Sequence, residues 1–442
     1  MKMQQDLNYI SAADAVKLVQ NDQRVFIHGG AATPLKLVNA LLDRGGSIHN
    51  VELVSISTYG HINWDRPEVK NSFFLNSLFV SENVRGWANS PYGDYVPVFL
   101  SEITRLFDSR TMPIDVALIQ VSPPDVNGYC TLGTSVDIAL SAVRNARLVI
   151  AQVNPGMPRV MGEGVIHTSR LHAMVWEEAA LPEIKASGKG DAITNGVAAH
   201  LASVIEDGAT LQMGIGTIPD AVLNSLIGHK DLGIHTEMLS DGVIPLIESG
   251  VINNSRKKVL PGKTVSTFIL GTKKIYDFVD NNPLVNCLNA GFVNDTNVIA
   301  QNPRVTAINS AIEIDITGQV CADSMGTYQY SGIGGQMDFM RGAALSGNGK
   351  PIIALPSIAR SGNSRIVANL KQGAGVVTTR GHIHYVATEY GIVDLYGKNL
   401  EQRAKLLIEI AHPTHKDMLE REYHTRFGKL LTGYRTVPLE GR

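Results

Sequence analysis

One order of apolar strand, glycine loop and helix start occurs twice in this chain, and that repeat limits the fold more than any other feature. Gly29, Pro34, Asn39 and Leu41 recur as Gly214, Pro219, Asn224 and Leu226, all 185 positions further on. In the first copy Arg24–Ile27 runs into His28-Gly-Gly-Ala-Ala-Thr-Pro34; in the second Thr210–Met213 runs into Gly214-Ile-Gly-Thr-Ile-Pro219. Proline suits the start of a helix, where its missing N–H would have had no partner within the helix. Later, 116–128 and 306–318 share an apolar run, an Asp and a closing Gly, and Ser135-Val-Asp137 is matched by Gln336-Met-Asp338. Two copies of one strand-loop-helix order predict an α/β fold of two duplicated open α/β domains, with the active site in the cleft between them. The polar, glycine-containing piece 181–190 is the expected linker, dividing the chain into domains 1–187 and 188–442.

At 442 residues the chain exceeds one ordinary core. A formal charge of −2 with no long Lys/Arg run argues against nucleic acid or an anionic membrane as partner. No apolar run reaches bilayer length, and residues 1–23 lack the basic-then-apolar order of a signal peptide, so a cytoplasmic protein is expected. Cys130, Cys287 and Cys321 are scattered without a CxxC pair, which fits a reducing compartment and gives no zinc site. Patterning predicts a first helix capped by Ser11 and reaching Gln20, strands at 51–56, 115–121 and Leu148–Val153, and helices at 135–145 and 193–205. Residues 73–107 read as loops with short helices, and 172–180 carries a helical pattern.

Within this frame the stretch Ile234-His-Thr-Glu-Met-Leu-Ser-Asp-Gly242 stands out. Ile234, Met238 and Leu239 read as a strand end, followed by a turn. A carboxylate buried there without a partner costs several kcal/mol, so Glu237 either caps, pairs or does chemistry. The loop Gly214-Ile-Gly-Thr-Ile-Pro219 offers free N–H groups at a helix start, suited to an anionic or polar ligand. Pro219 stands where a dinucleotide fingerprint needs its third glycine, which argues against NAD. In Tyr330-Ser-Gly-Ile-Gly-Gly-Gln-Met-Asp-Phe339, Gly332, Gly334 and Gly335 either aim N–H groups at a developing oxyanion or form a tight turn before a helix. Asn363 and Arg365 hold an anion or belong to a surface turn. His382 and His384 share one strand face but lack a third ligand, so no metal is expected. His235 tunes Glu237 or packs; Asp137 and Asp338 read as helix caps; Glu389 is a second functional acid or half of an ion pair.

Together, Val121-Ser-Pro-Pro-Asp, Asn127-Gly-Tyr, Gly214-Ile-Gly-Thr-Ile-Pro219, His235-Thr-Glu237, Gly332-Ile-Gly-Gly335, Ser364-Arg-Ile366, Tyr385-Val-Ala-Thr-Glu-Tyr-Gly391 and Ile410-Ala-His-Pro413 resemble the acetyl-CoA hydrolase/transferase family of coenzyme A transferases (family I). The likeness spans nearly the whole chain, and the length resembles the 4-hydroxybutyrate CoA-transferase branch more than longer branches. It implies two related open α/β domains, a homodimer, and no metal or redox cofactor. It equates Glu237 with the family's nucleophilic glutamate, and Gly214, Ile215, Gly216, Thr217 and Ile218 with its CoA-contacting loop. Ile312 falls in a further CoA-contacting stretch, and Gly334 and Gly335 match the glycine motif beside the thioester, Gly335 also touching CoA. The implied activity moves CoA between a short-chain acyl-CoA and a carboxylic acid, with acetyl- or butyryl-CoA and 4-hydroxybutyrate as the expected pair. Glu237 attacks the thioester and is then converted by the released thiolate to a glutamyl-CoA thioester. It is expected to need no base, because a carboxylate is already ionised at pH 7. Alternatives are an acyl-CoA hydrolase on the same scaffold and a non-catalytic small-molecule sensor, which would leave Glu237 unexplained.

Overall fold

The computed structural model describes residues 8–184, 190–214 and 216–431. The expected domain boundary at 187/188 lies outside the described residues, as does Ile215. In the first half, seven parallel strands form one sheet in the order Ala173–Trp176, Leu148–Val153, Val116–Val121, Arg24–Ile27, Val51–Ser55, Phe73–Ser77, Gly93–Tyr95. In the second, six strands run Gly233–Ile234, Thr210–Met213, Thr306–Asn309, Lys350–Ala354, Tyr385–Thr388, Gly391–Asp394, and only the last is antiparallel to its neighbour. The repeat therefore occupies like places. Val25 faces Val116 across a parallel pair in one sheet, as Leu211 faces Thr306 in the other. Val116–Val121 is buried along its whole length, the pattern of a parallel strand covered on both faces.

Several elements depart from the sequence expectation, each for a local reason. Phe73–Ser77, expected as loop, is an inner strand: Phe73, Leu75 and Ser77 are buried while Phe74 is exposed, a period of two too short to stand out among Asn and Tyr. In the segment 172–180, expected as helix, Ala173–Trp176 is a sheet-edge strand with Ala173 and Val175 turned inward. Ser11 does cap the first helix, but Ala12–Ala15 gives way to a single 3₁₀ turn, Val16–Leu18, before Gln20. The helix expected over 135–145 starts only at Ala139, because the Asp137 carboxylate takes the N–H groups of Ile138 and Ala139.

The halves are stitched together by backbone. Met161–Gly162 of the first half pairs with Val285–Cys287, which pairs with Thr264–Ser266. Leu100 N–H donates to Gly334 O at 3.0 Å. The largest apolar cluster also runs through both, from Phe26 and Leu100 to Met213, Leu239 and Ala387. The cleft floor is therefore continuous core rather than a hinge of loops.

Gly162 tests this seam. Its φ is 126°, and an added Cβ would lie 2.1 Å from the Cys287 carbonyl oxygen. Gly162→Ala should lose about 1–3 kcal/mol, seen as a lower melting temperature. Gly347→Ala, where a Cβ meets nothing within 4 Å, should melt within about 0.5 kcal/mol of wild type.

Candidate active site

Glu237 lies between the short strands Gly233–Ile234 and Met238–Leu239, and its main chain is fixed from both sides. Thr236 N–H donates to Val265 O at 3.0 Å. The Glu237 carbonyl accepts from Thr267 N–H, Phe268 N–H and the Thr267 hydroxyl at 2.9, 3.1 and 2.9 Å. With the backbone held by three donors, the side chain is aimed into the cleft. Its carboxylate lies against Asn294 Nδ2 and the Gly335 backbone, whose N–H groups favour its charged form. A Cβ at position 335 would sit 2.0 Å from Glu237 Oε2 and 2.2 Å from Asn294 Nδ2. Glycine is thus required at 335 by the close approach of the carboxylate.

The glycine loop is shaped by the other half of the chain. Ile333 N–H donates to the Tyr95 hydroxyl at 2.9 Å, and Arg85 Nε to Tyr330 O at 2.8 Å. The Arg85 guanidinium lies 3.8 Å from the Tyr330 ring centre. Gly334, at φ 57°, carries the turn, with Phe79 packed over it.

Burial, followed by the charge of Asp338, pushes the Glu237 carboxyl up to about 7. The bonds from Asn294 and Gly335 oppose this, and Asp137 adds to it. Burial likewise raises Asp338, to about 6. Full ionisation at pH 7, expected from the free side chain, therefore does not hold here. The pocket charges its acid only near neutrality, because two further carboxylates face it and no cation does among the described contacts.

A cavity of about 380 Å³ opens before Glu237, lined by Gly30, Ser57, Tyr59 and Phe79 from the first half and by Gln212, Met238 and 331–336 from the second. It shares Gly214, Asn309 and Ser310 with a hollow of about 200 Å³ lined by Gly216, Thr217, Ile218 and Pro219. That hollow lies at the start of the helix Thr217–Ser225, whose first N–H groups have no partner within the helix. The structure thus brings Glu237, Gly334, Gly335, Gly214, Gly216, Thr217 and Ile218 around one connected opening. Ile312 lines neither part: its N–H donates to Cys321 O at 2.8 Å, two residues beyond Ser310.

Other candidates resolve differently. His235 is buried, with Nε2 2.8 Å from Val293 O, and burial holds its imidazole neutral, down at about 3. It packs rather than touching Glu237. Asp137 caps as expected, but Asp338 does not cap its own helix, Gln336–Leu345. Its carboxylate accepts from Ser101 N–H and hydroxyl at 3.1 and 2.8 Å, capping Leu100–Asp108 across the cleft, and from Asn294 Nδ2 at 3.2 Å. Glu389 accepts from Ser357 N–H and hydroxyl at 2.9 and 2.5 Å instead of meeting a cation. Arg365 donates to Ala311 O at 3.2 Å, outside the cavity. His382 and His384 precede the strand Tyr385–Thr388; one meets Thr379, the other Tyr396. No cluster of three or more metal-type ligands occurs among the described residues. Sequence reading missed Asn294, an asparagine at the end of the short helix Ala290–Val293, where that residue type is ordinary.

The chain is similar to known proteins over nearly its whole length. The profile of the acetyl-CoA hydrolase/transferase N-terminal domain matches residues 2–213, and that of the C-terminal domain residues 271–423. A succinyl-CoA:acetate/propanoyl-CoA:succinate CoA transferase of Fasciola hepatica is 50% identical over 91% of this chain and 85% of its own. A 4-hydroxybutyrate coenzyme A transferase of Clostridium kluyveri is 46% identical over 95% of this chain and 97% of its own. The solved structure of a 4-hydroxybutyrate CoA-transferase from Porphyromonas gingivalis superposes with a TM-score of 0.81 at 36% identity, covering 95% of this chain and 98% of that one.

The raised Glu237 carboxyl has a stability signature. Its folded value, about 7, lies above the ordinary 4.5, so its contribution is full below pH 4.5 and is lost as pH rises through 7. Glu237→Gln carries no such loss. The variant should match wild type in melting temperature near pH 4.5 and exceed it at pH 8, by about 1–3 kcal/mol.

Proposed function

This chain belongs to the acetyl-CoA hydrolase/transferase family, as a CoA-transferase, and we propose that it moves CoA between a short-chain acyl-CoA and a free monocarboxylic acid through a thioester on Glu237. One observation carries the reading: a carboxylate on a fixed backbone meets a glycine N–H at the mouth of a cavity that continues into a helix N-terminus. Glu237 attacks the acyl-CoA carbonyl, giving a mixed anhydride and CoA thiolate. The thiolate attacks the Glu237 carbonyl, the acid departs, and glutamyl-CoA remains for the acceptor acid to reverse both steps. The Gly335 N–H already on the Glu237 oxygen is placed to stabilise the oxyanion formed there. One such donor is typically worth about 3–4 kcal/mol. Gly214, Ile215, Gly216, Thr217, Ile218 and Ile312 are proposed as the CoA-contacting stretches, with the hollow at Thr217 taking a polar or anionic part of CoA. CoA contacts remote from the sulfur can then drive the reacting end into place.

The acid pair proposed is acetate, or butyrate, with 4-hydroxybutyrate. Ile56, Phe79, Met238 and Phe268 give the cavity apolar walls. Ser57 and Tyr59, both in the cavity lining, offer hydroxyl partners for a distal hydroxyl. No Lys or Arg lines it among the described residues, while Asp137 does. A second carboxylate, as in succinate, would enter without a cation and beside an anion. The proposal also has a cytoplasmic homodimer that uses no metal or nicotinamide; the three free, buried cysteines suit a reducing compartment. A hydrolase reading remains the rival, since water reaching the glutamyl thioester would turn transfer into hydrolysis; thioester consumption with and without acceptor acid separates the two.

Glu237→Ala should lose at least about a thousandfold in turnover while still unfolding in one cooperative transition, as a folded protein does. Wild-type double-reciprocal plots should be parallel, and intersecting lines would contradict the covalent route. The kcat/KM for acyl-CoA should rise tenfold per pH unit below about 7 and level off above it, because only ionised Glu237 attacks.

In an acceptor panel, butyrate and 4-hydroxybutyrate should exceed succinate by at least about tenfold in kcat/KM. Parity with succinate would refute the uncharged acid pocket.

A further inference from the structure

Asp338 and Asn294 lie outside the roles assigned so far, and their placement is unusual. Asp338 is 5% exposed and Asn294 fully buried. The carboxylate has no cationic partner among the described residues; its bonds come from Ser101 and from Asn294 Nδ2. The same Asn294 Nδ2 lies beside Glu237 Oε2, the two being 2.2 and 2.0 Å from where a Cβ on Gly335 would sit. One amide group thus stands between a buried carboxylate and the part-exposed one of Glu237, while its own Oδ1 has no partner among the described residues. An amide has two N–H donors, and Asn294 Nδ2 stands beside both acids, so rotation of this side chain would alter the surroundings of both. Folding alone does not favour a buried carboxylate without a cation placed behind a second one at the cavity wall.

We propose that Asp338, acting through Asn294, is a positioning residue that drives Glu237 toward its covalent state. The inference rests on the reading of Glu237 as the nucleophile. A fixed negative charge behind Glu237 penalises the free carboxylate, and the penalty ends once that carboxylate is neutral. Transfer neutralises it. Glu237–COO⁻ and R–CO–S–CoA give Glu237–CO–O–CO–R and CoA–S⁻; the thiolate then gives Glu237–CO–S–CoA and releases R–COO⁻. The negative charge enters the step on Glu237 and leaves on the departing acid. Pressure that would otherwise only protonate Glu237 is thereby available to favour the enzyme thioester. The upward displacement of the Glu237 carboxyl reports the same pressure. The groups facing it are Asp338 from Gln336–Leu345 and Asp137 from the loop before Ala139–Asn145, while Glu102 of Leu100–Asp108 stands beyond Asp338. His235, on the segment of Glu237 itself, is turned to Val293 O.

The test compares wild type with Asp338→Asn, which keeps an acceptor for Ser101 and removes the charge. Two quantities are read: the pH at which kcat/KM falls on the acid side, and the fraction of enzyme carrying CoA less water on Glu237 at a fixed ratio of acyl-CoA to free acid. In Asp338→Asn the acid limb should move down by about one pH unit and the adduct equilibrium should fall about tenfold. Asn294→Asp, which adds charge at the bridge, should move the limb upward, and this result decides the matter if Asp338→Asn does not fold. A limb and adduct fraction unchanged in Asp338→Asn, or a limb unmoved in Asn294→Asp, overturns the proposal. If wild type itself forms no adduct on Glu237, the nucleophile reading fails, a distinct result.

Discussion

The contact between the Glu237 carboxylate and the Gly335 N–H is the constraint on which the rest of the structure depends. A side chain at 335 would collide with Oε2, and a less rigid backbone at 237 would let the acid swing to water. The three donors on the Glu237 carbonyl prevent that swing, and the Phe79 ring over Gly332 and Gly334 holds the opposite wall. The site stores its cost as a displaced ionisation rather than as backbone distortion at Glu237. A carboxylate with too few donors and too many like charges is a poor structural element and a candidate for chemistry.

That contact also explains why the two halves are so tightly joined. The glycine loop belongs to the second half, yet its shape is set by Arg85, Tyr95 and Leu100 of the first. Asp338 returns the favour by capping Leu100–Asp108. A freely hinged pair of domains would let Gly335 drift from Glu237 by the ångström that separates a hydrogen bond from none. Backbone pairing of Met161–Gly162 with Val285–Cys287 resists such drift at the far side.

Much of this was legible in the sequence where chemistry is local. The Gly–Pro repeat named the paired strands at Arg24–Ile27 and Thr210–Met213, and Glu237 announced itself as an acid inside an apolar run. What stayed hidden depends on contacts between distant residues. Asn294 looks like any asparagine ending a short helix, and nothing near it in the chain says that Glu237 and Asp338 share its amide. Asp338 was read as a cap, rightly in kind, but the helix it caps lies 237 positions away. The ionisation of Glu237 was misjudged for the same reason, since desolvation and the neighbouring charge come from residues the local pattern does not contain. Phe73–Ser77 and Ala173–Trp176 were missed because four or five residues do not establish a period when neighbouring strands, not sequence, supply the hydrogen bonds.

The arrangement of the opening divides labour between its ends. At the far end, the start of the helix Thr217–Ser225 and the open space around Gly214 and Gly216 suit a polar, extended ligand. At the near end, acids and apolar walls make an unwelcoming place for a free carboxylate. On the route proposed above, an acceptor acid loses its charge to the CoA thiolate as it forms the anhydride, and the carboxylate then released on Glu237 is the one the pocket tolerates least. Binding held at one end and repulsion built into the other is a physical basis for moving CoA between acids of similar energy, since neither the free enzyme nor the bound acid becomes a thermodynamic sink.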